Sequence, residues 1–302
     1  MYCIIVNPKA GRGESIKQAQ VLESQLKMLG VEHDTVYTTG VNCGYSKAKE
    51  ICLNKSPAVR GIIGIGGDGT IQEIVAGMAD AFPLGKKIPI PLCICPAGSG
   101  NDFIMSVTKK NPKKVSEALV NNLSQGNSKA VDIITANNRA YLNIGNVGLD
   151  AWIVKNAEAK KKEYGNRAYL AAVYKSIISY KAINLVIEAD GKVFEGAFTL
   201  VAVCNGQYYG GGLQVSPSAK IDDGKITLCV VEYMSKIKTM AIFPSLMIKK
   251  HMYLKAVSFH ECTDVTITFS DDEGVLCLDG NLSQAKGMVE FKIHKQVLDI
   301  IV

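Results

Sequence analysis

The sequence predicts an α/β half with a mostly parallel sheet over residues 1–128. An antiparallel β-sandwich half follows over residues 129–302, its last residues having the option of returning to the first half. Three observations carry this reading. In the first half, short apolar runs alternate with segments of helical spacing, the pattern of βαβ units. In the second, short β-branched runs are separated by Asp-Gly and Asn-Gly turn signals. Three strands of the first half run directly into glycine-rich loops.

Tyr2–Val6 is an apolar run that stops at Asn7-Pro8, as a buried strand does. Over 15–29, Ile16, Ala19, Leu22, Leu26 and Leu29 share one helical face, and Gly30 follows as the C-cap. Residues 33–38 read as a second strand and 45–53 as a second helix. Residues 61–65 and 70–78 repeat the pair, and 91–95 is a fourth strand. Ligands of such sheets bind at the loops beyond the strand C-termini. After about residue 130, strands are expected at 131–135, 139–147, 184–189, 193–205, 225–233, 264–269, 274–278 and 288–293. Helical stretches interrupt them near 152–180 and 235–250. The short polar stretch 124–129 marks the boundary, and the chain has no internal repeat.

Of the 302 residues, 47% are apolar and 21% charged, which excludes disordered, collagen-like and coiled-coil chains. The net charge of +6 is too small to argue for a nucleic-acid partner, yet suits an anionic ligand or surface. No apolar run approaches the roughly 18 to 20 residues of a membrane-spanning helix. The N-terminus reaches Asn7-Pro8 without a basic signal region, so the expected location is cytoplasmic, with at most peripheral contact at the inner face of the membrane. The nine cysteines form no CxxC pair and read as reduced core residues, and the four histidines lack zinc-ligand spacing.

The chemistry is concentrated in three loops: Asn7-Pro8-Lys9-Ala10-Gly11-Arg12-Gly13, Gly66-Gly67-Asp68-Gly69-Thr70 and Pro96-Ala97-Gly98-Ser99-Gly100-Asn101-Asp102. Glycines let backbone amides approach phosphate oxygens, and a helix N-terminus adds partial positive charge. Lys9 and Arg12 suit a polyphosphate, and Asp68 and Asp102 suit the Mg²⁺ that accompanies a triphosphate. A Walker A motif is absent. Gly64-Ile65-Gly66-Gly67-Asp68-Gly69 matches GxGxxG, but it follows the third strand. Its internal Asp68 suits a metal-bridged triphosphate better than a bare dinucleotide.

These motifs resemble those of the diacylglycerol kinase catalytic family, and most closely its bacterial soluble lipid kinases of the diacylglycerol and sphingosine kinase type. The Gly-Gly-Asp-Gly-Thr loop is shared with NAD kinases and phosphofructokinases. The Pro-x-Gly-Ser-x-Asn-Asp loop is narrower. Gly210-Gly211-Gly212, Pro217, Asp222-Asp223-Gly224 and Asp279-Gly280 follow in the family's order, so the resemblance runs the whole chain. It implies an NAD kinase/phosphofructokinase-like first half and an ATP- and Mg²⁺-dependent transfer of the γ-phosphoryl group. The acceptor would be the hydroxyl of diacylglycerol or a related lipid alcohol. It places ATP on Gly66, Gly67, Gly69, Thr70 and Glu73, with Asn7, Lys9, Gly11, Thr39, Gly98, Ser99 and Asn101 around it. It makes Asp68 and Asp102 the acidic groups at the catalytic Mg²⁺ and Asp279 the general base. It also implies a structural Mg²⁺ on Asp223, with the carbonyls of Lys220 and Lys225.

By spacing alone, Asp223-Gly224 and Asp279-Gly280 are hairpin turns, and only the resemblance gives them chemistry. Where the family reads Asp-Gly-Glu, this chain has Asp279-Gly280-Asn281. A slower enzyme, recruitment of another carboxylate such as Glu73, a kinase for a soluble substrate such as NAD, and a nucleotide-binding relative with weakened turnover therefore stay open. A lipid substrate requires contact with a membrane surface. Two basic stretches suit it: 155–181, with Lys155, Lys160, Lys161, Lys162, Arg167, Lys175 and Lys181, and 236–255, with five lysines and no acid. The alternative for both is an amphipathic helix capping the β half. The pairs Lys109-Lys110 and Lys113-Lys114 read as a solvated helix start, and a homodimer is expected only from the general frequency of dimers.

Overall fold

The computed structural model describes residues 1–54, 59–108 and 111–302, with the side chains of 157–170, 241–244 and 272 outside the description. The elements are β1 Tyr2–Val6, α1 Glu14–Met28, β2 His33–Tyr37, α2 Cys43–Leu53, β3 Gly61–Gly66, α3 Asp68–Asp80, β4 Leu92–Pro96, α4 Asp102–Thr108 and α5 Pro112–Gln125. The second half contains β5 Lys129–Ala136, β6 Arg139–Tyr141, β7 Ile144–Gly148, α6 Leu149–Ser179, β8 Ile183–Ala189, β9 Lys192–Cys204, β10 Tyr208–Tyr209 and β11 Leu213–Gln214. It ends with β12 Ile226–Glu232, α7 Lys236–Met247, β13 Val257–Cys262, β14 Asp264–Leu278 and β15 Asn281–Ile301.

β1 pairs in parallel with β2 and β3, and β3 with β4. Strand alternation sorts their side chains to two faces. Ile4, Val6, Ile63 and Ile65 pack against Leu22 and Leu26 of α1. Ile5, Ile62, Leu92 and Ile94 pack against Ile74 and Val75 of α3. The second half is antiparallel, with β14, β8, β9, β12 and β13 in sequence across the sheet and β7 between β9 and β14. β15 joins the halves. It runs antiparallel to β14 and β5, and its end, Ile300 and Ile301, lies parallel to Leu92 and Cys93 of β4. Eight of the nine cysteines are buried, and burial pushes the Cys52, Cys93 and Cys229 thiols up to about 12.

Several elements differ from the sequence expectation. The strand expected over 139–147 is two strands, interrupted at Leu142 and Asn143, because the amides of 142–144 turn to a side chain from the turn between β14 and β15. The runs at 264–269 and 274–278 are one strand with an irregularity between Thr268 and Glu273. The run at 288–293 is the middle of the 21-residue β15, whose polar flanks conceal its length. Periodicity does not announce α5, but its ends explain it. The Asn111 side chain accepts from the Lys113 amide at 2.9 Å, Pro112 starts the helix, and Gly126 closes it at φ +67°. Lys109 and Lys110 lie outside the described residues. In α6, Trp152 near the start and Tyr180 just past the end have ring centroids 6.5 Å apart. A straight helix of 31 residues would separate its ends by about 45 Å, so α6 is not a single straight rod.

Candidate active site

The three glycine-rich loops leave the C-terminal ends of β1, β3 and β4 and lock onto one another. Asn7 Nδ2 donates to Thr70 Oγ1 at 2.9 Å, while Ser15 Oγ donates to the Asn7 carbonyl at 2.6 Å. Asn101, at φ +57°, closes its loop twice: it accepts from the Gly98 amide at 2.9 Å and donates to the Gly98 carbonyl at 2.8 Å. A Cβ on Gly98 would lie 2.4 Å from the Gly67 Cα, so the second and third loops touch backbone to backbone. One carboxylate opens each helix that follows, Asp68 on α3 and Asp102 on α4, where the helix dipole favours negative charge.

The two carboxylates border one space, because a methyl group on Gly100 would lie 3.1 Å from Oδ2 of each. Asp68 Oδ1 accepts from the Phe103 amide at 3.1 Å. Asp102 reaches into the second half. Its Oδ1 accepts from the Gly212 amide at 2.6 Å, and its Oδ2 from the Gly211 amide at 3.0 Å. Gly210, Gly211 and Gly212 have φ of +64°, +87° and +102°. This run of left-handed residues turns successive amides to one side, the geometry of a backbone anion nest.

The third carboxylate comes from the β14–β15 hairpin. Asp279 and Gly280, at φ +46° and +87°, form its two-residue turn, as the Asp-Gly dipeptide predicts. The same turn aims the Asp279 carboxylate at three successive amides: Leu142 at 2.9 Å, Asn143 at 3.1 Å and Ile144 at 2.8 Å. The turn and the site are one feature. Burial raises the Asp279 carboxyl to about 7 against the pull of these amides, and the nearby Asp68 charge adds to the rise. Burial raises Asp68 as well, again against backbone hydrogen bonds.

Comparison with known proteins decides what this arrangement belongs to. Residues 1–136 match the diacylglycerol kinase catalytic domain, and residues 144–302, more than half the chain, match the YegS C-terminal NAD kinase beta sandwich-like domain. The chain belongs to the YegS-type diacylglycerol kinase family. At family level it is a lipid kinase, a transferase. It is 30% identical over 249 residues to diacylglycerol kinase of Bacillus subtilis (strain 168), covering 79% of this chain and 78% of that one. It is 28% identical to diacylglycerol kinase of Staphylococcus aureus (strain bovine RF122 / ET3-1), covering 90% and 85%. A crystal structure from Bacillus anthracis str. Sterne, provisionally designated a diacylglycerol kinase, superposes with a TM-score of 0.76. Its identity is 26%, with 99% of this chain and 94% of that chain covered.

The kinase brings Asp68, Asp102 and Asp279 together with Asn7, Gly66, Gly67, Gly69, Thr70, Gly98 and Asn101. Gly11 packs against the third loop, where an added Cβ would meet the Ala97 carbonyl at 2.3 Å. Lys9 and Ser99 are exposed on their loops. Glu73 faces elsewhere. Its two oxygens accept from the Asn42 amide at 2.9 Å and the Gly44 amide at 3.1 Å, which caps α2. Thr39 is exposed beyond the outer strand β2, its hydroxyl toward Cys43. Asp223 accepts from the Lys225 amide at 3.0 Å and groups with the buried Asp132, whose carboxyl is raised by burial and by the charges of Asp223 and Asp222. Lys220 is exposed, and the Lys225 ammonium pairs with Glu261 at 2.6 Å.

Periodicity and motif reading miss two participants, Gln72 and Asn143, and do not give the partners of Asn281. Asn281 Nδ2 donates to Gln72 Oε1 at 2.5 Å and to the Gly69 carbonyl at 3.1 Å. Gln72, fully buried, donates to the Ala140 carbonyl at 3.0 Å. The pair clamps the Asp279 hairpin onto the helix that Asp68 opens. Asn143 ties the halves by accepting from the Ser106 hydroxyl of α4 at 3.3 Å, and it donates to the Tyr208 carbonyl at 2.6 Å. The available signals were a glutamine inside the apolar face of α3 and an asparagine inside a β-branched run.

Proposed function

We infer that this kinase transfers the γ-phosphoryl group of ATP, with Mg²⁺, to the hydroxyl of diacylglycerol or a related lipid alcohol. The observation that carries the reading is the convergence of Asp68, Asp102 and Asp279 from both halves onto the glycine-rich loops. The donor set fits a hard cation, since Asp68 and Asp102 offer carboxylate oxygens on either side of Gly100. Among the described residues no three acidic, histidine or cysteine side chains form a metal cluster by themselves. Asp68 and Asp102 would hold a cation here together with phosphate oxygens and water, as Mg²⁺ sites commonly do. When bound, Mg²⁺ supplies charge neutralisation at the transferring phosphate.

The remaining chemistry belongs to the chain. The backbones of Gly67 and Gly98 pack together, and the N-terminus of α3 beside them favours phosphate oxygens. Asp102 holds the 210–212 loop of the second half against the first, which closes the site and orients the acceptor side. The amides of 142–144 fix the Asp279 carboxylate in one orientation. With its pKa near 7, Asp279 takes the hydroxyl proton onto a carboxylate oxygen as the acceptor oxygen bonds to the γ-phosphorus, the bond from that phosphorus to the β–γ bridging oxygen breaks and ADP leaves. Such a base is needed only weakly, because phosphoryl transfer depends mainly on positioning and charge stabilisation. No helix among the described residues is long and apolar enough to cross a membrane.

The test is ADP release from Mg·ATP with diacylglycerol, ceramide or sphingoid base in mixed micelles, and with NAD in buffer, using Asp68→Asn as the blank. Turnover with a lipid, abolished in the blank, supports the reading. Turnover with NAD alone overturns it.

A further inference from the structure

The C-terminus of α7 runs into a short helical turn, His251–Tyr253, and together they form a tip over residues 247–254. Met247 is 67% exposed, Ile248 63% and Tyr253 81%, with Met252 and Leu254 also partly in water. Ile237, at the opposite end of α7, is 83% exposed. Scattered apolar residues on a surface are ordinary, whereas a contiguous group marks an interaction site. Between Glu232 and Glu261 the chain has no acidic residue and five lysines: Lys236, Lys238, Lys249, Lys250 and Lys255. Lys236 donates to the Ile178 carbonyl, which brings the exposed Ile178 and Lys175 at the end of α6 alongside.

The tip is joined to the site. His251 is buried, and its Nε2–H donates to the Val215 carbonyl at 3.0 Å. Val215 directly follows the β10–β11 hairpin. The turn of that hairpin is residues 210–212, and the Gly211 and Gly212 amides in it hold Asp102.

We propose that the tip at 247–254 is the surface by which this kinase docks on an anionic bilayer, with the membrane seated beside the hairpin that holds Asp102. The proposal rests on the lipid-kinase reading. Acyl chains accommodate Met247, Ile248 and Tyr253, and anionic headgroups pair with Lys249 and Lys250. A second copy of the chain is a poor occupant, because it would set five lysines against five. Seated this way, the tip delivers a membrane-borne hydroxyl to the Asp102 side of the site.

Two variants test this: Met247→Ser/Ile248→Ser/Tyr253→Ser and Lys249→Gln/Lys250→Gln. All the altered side chains are exposed, and thermal melting checks that the fold survives. Binding is measured by co-sedimentation with phosphatidylglycerol/phosphatidylcholine vesicles and with phosphatidylcholine alone. Turnover is measured with dioleoylglycerol in vesicles and with dispersed short-chain diacylglycerol. The triple variant is expected to lose at least about tenfold in partitioning to anionic vesicles. The lysine variant loses roughly thirtyfold on anionic vesicles and little on neutral ones. Both retain turnover of the dispersed substrate. Undiminished vesicle binding by both variants overturns the proposal. So does a parent dimer that the triple variant dissociates, which assigns the face to a second copy. A parent that binds vesicles through this tip but phosphorylates no lipid leaves the surface standing and removes the functional reading instead.

Discussion

Replacing Asp279 by asparagine should invert the usual effect of pH on the stability gap between parent and variant. The carboxyl is lifted from 3.8 to about 7, chiefly by burial. A raised carboxyl holds its proton more tightly in the folded state. Its stabilising contribution is complete below about pH 4 and is lost as the pH rises through about 7. At about 1.4 kcal/mol per pH unit, a rise of that size amounts to roughly 4 kcal/mol. The substituted asparagine stays neutral throughout and escapes that loss, although its amide nitrogen replaces one of the oxygens that accept from the 142–144 backbone. The variant should therefore be less stable than the parent in acid by about 1–3 kcal/mol and recover by roughly 4 kcal/mol toward pH 8. Guanidinium unfolding of both proteins between pH 4.5 and 8, with a chelator present, measures the gap. Parallel profiles, or a gap that widens with pH, would show that the three amides outweigh burial and that Asp279 is ionised well below neutrality. In turnover assays the same rise predicts that parent kcat climbs with pH through about 7, and Asp279→Asn should abolish that climb with most of the activity.

Three further outcomes follow from the same geometry. Asn281→Glu removes the donor to Gln72 Oε1 and the Gly69 carbonyl and adds charge near Asp279, so it should cost about 1–3 kcal/mol without Mg²⁺, with part recovered when Mg·ATP is added in a melting assay. Gly98→Ala forces a Cβ to within 2.4 Å of the Gly67 backbone and should destroy ATP binding in calorimetry while leaving the circular dichroism spectrum close to that of the parent. Asp102→Ala releases the Gly211 and Gly212 amides, so hydrogen exchange should accelerate across 208–216 and turnover should fall by about a hundredfold or more.

Much of the first half is legible in the chain because its signals are local. Ile4 and Val6 alternate with Ile5, Leu22 and Leu26 follow a helical stripe, and each glycine-rich loop directly follows its strand. The late Asp279-Gly280 turn is equally local, since both residues must adopt positive φ. Less legible were the elements whose form depends on distant partners. β15 runs for 21 residues because it has neighbours in both halves, and no window of sequence contains them. The strand expected over 139–147 breaks because the Asp279 carboxylate, far along the chain, takes the amides of 142–144. Glu73 is a carboxylate in the right helix, but the Asn42 and Gly44 amides claim it.

The sequence by itself determined the βαβ order, the phosphate-type loops at one sheet edge and the hairpin turn at Asp279. Each needs only nearest neighbours and the stereochemistry of glycine. The tertiary structure alone decided which carboxylates meet, because burial and cross-domain amides assign their partners. It set Asp102 in the 210–212 nest, raised Asp279 to about 7 and left Met247, Ile248 and Tyr253 of the tip at 247–254 in water. Desolvation and long-range hydrogen bonds act through space, and the spacing of residues along a chain does not encode the distances between them.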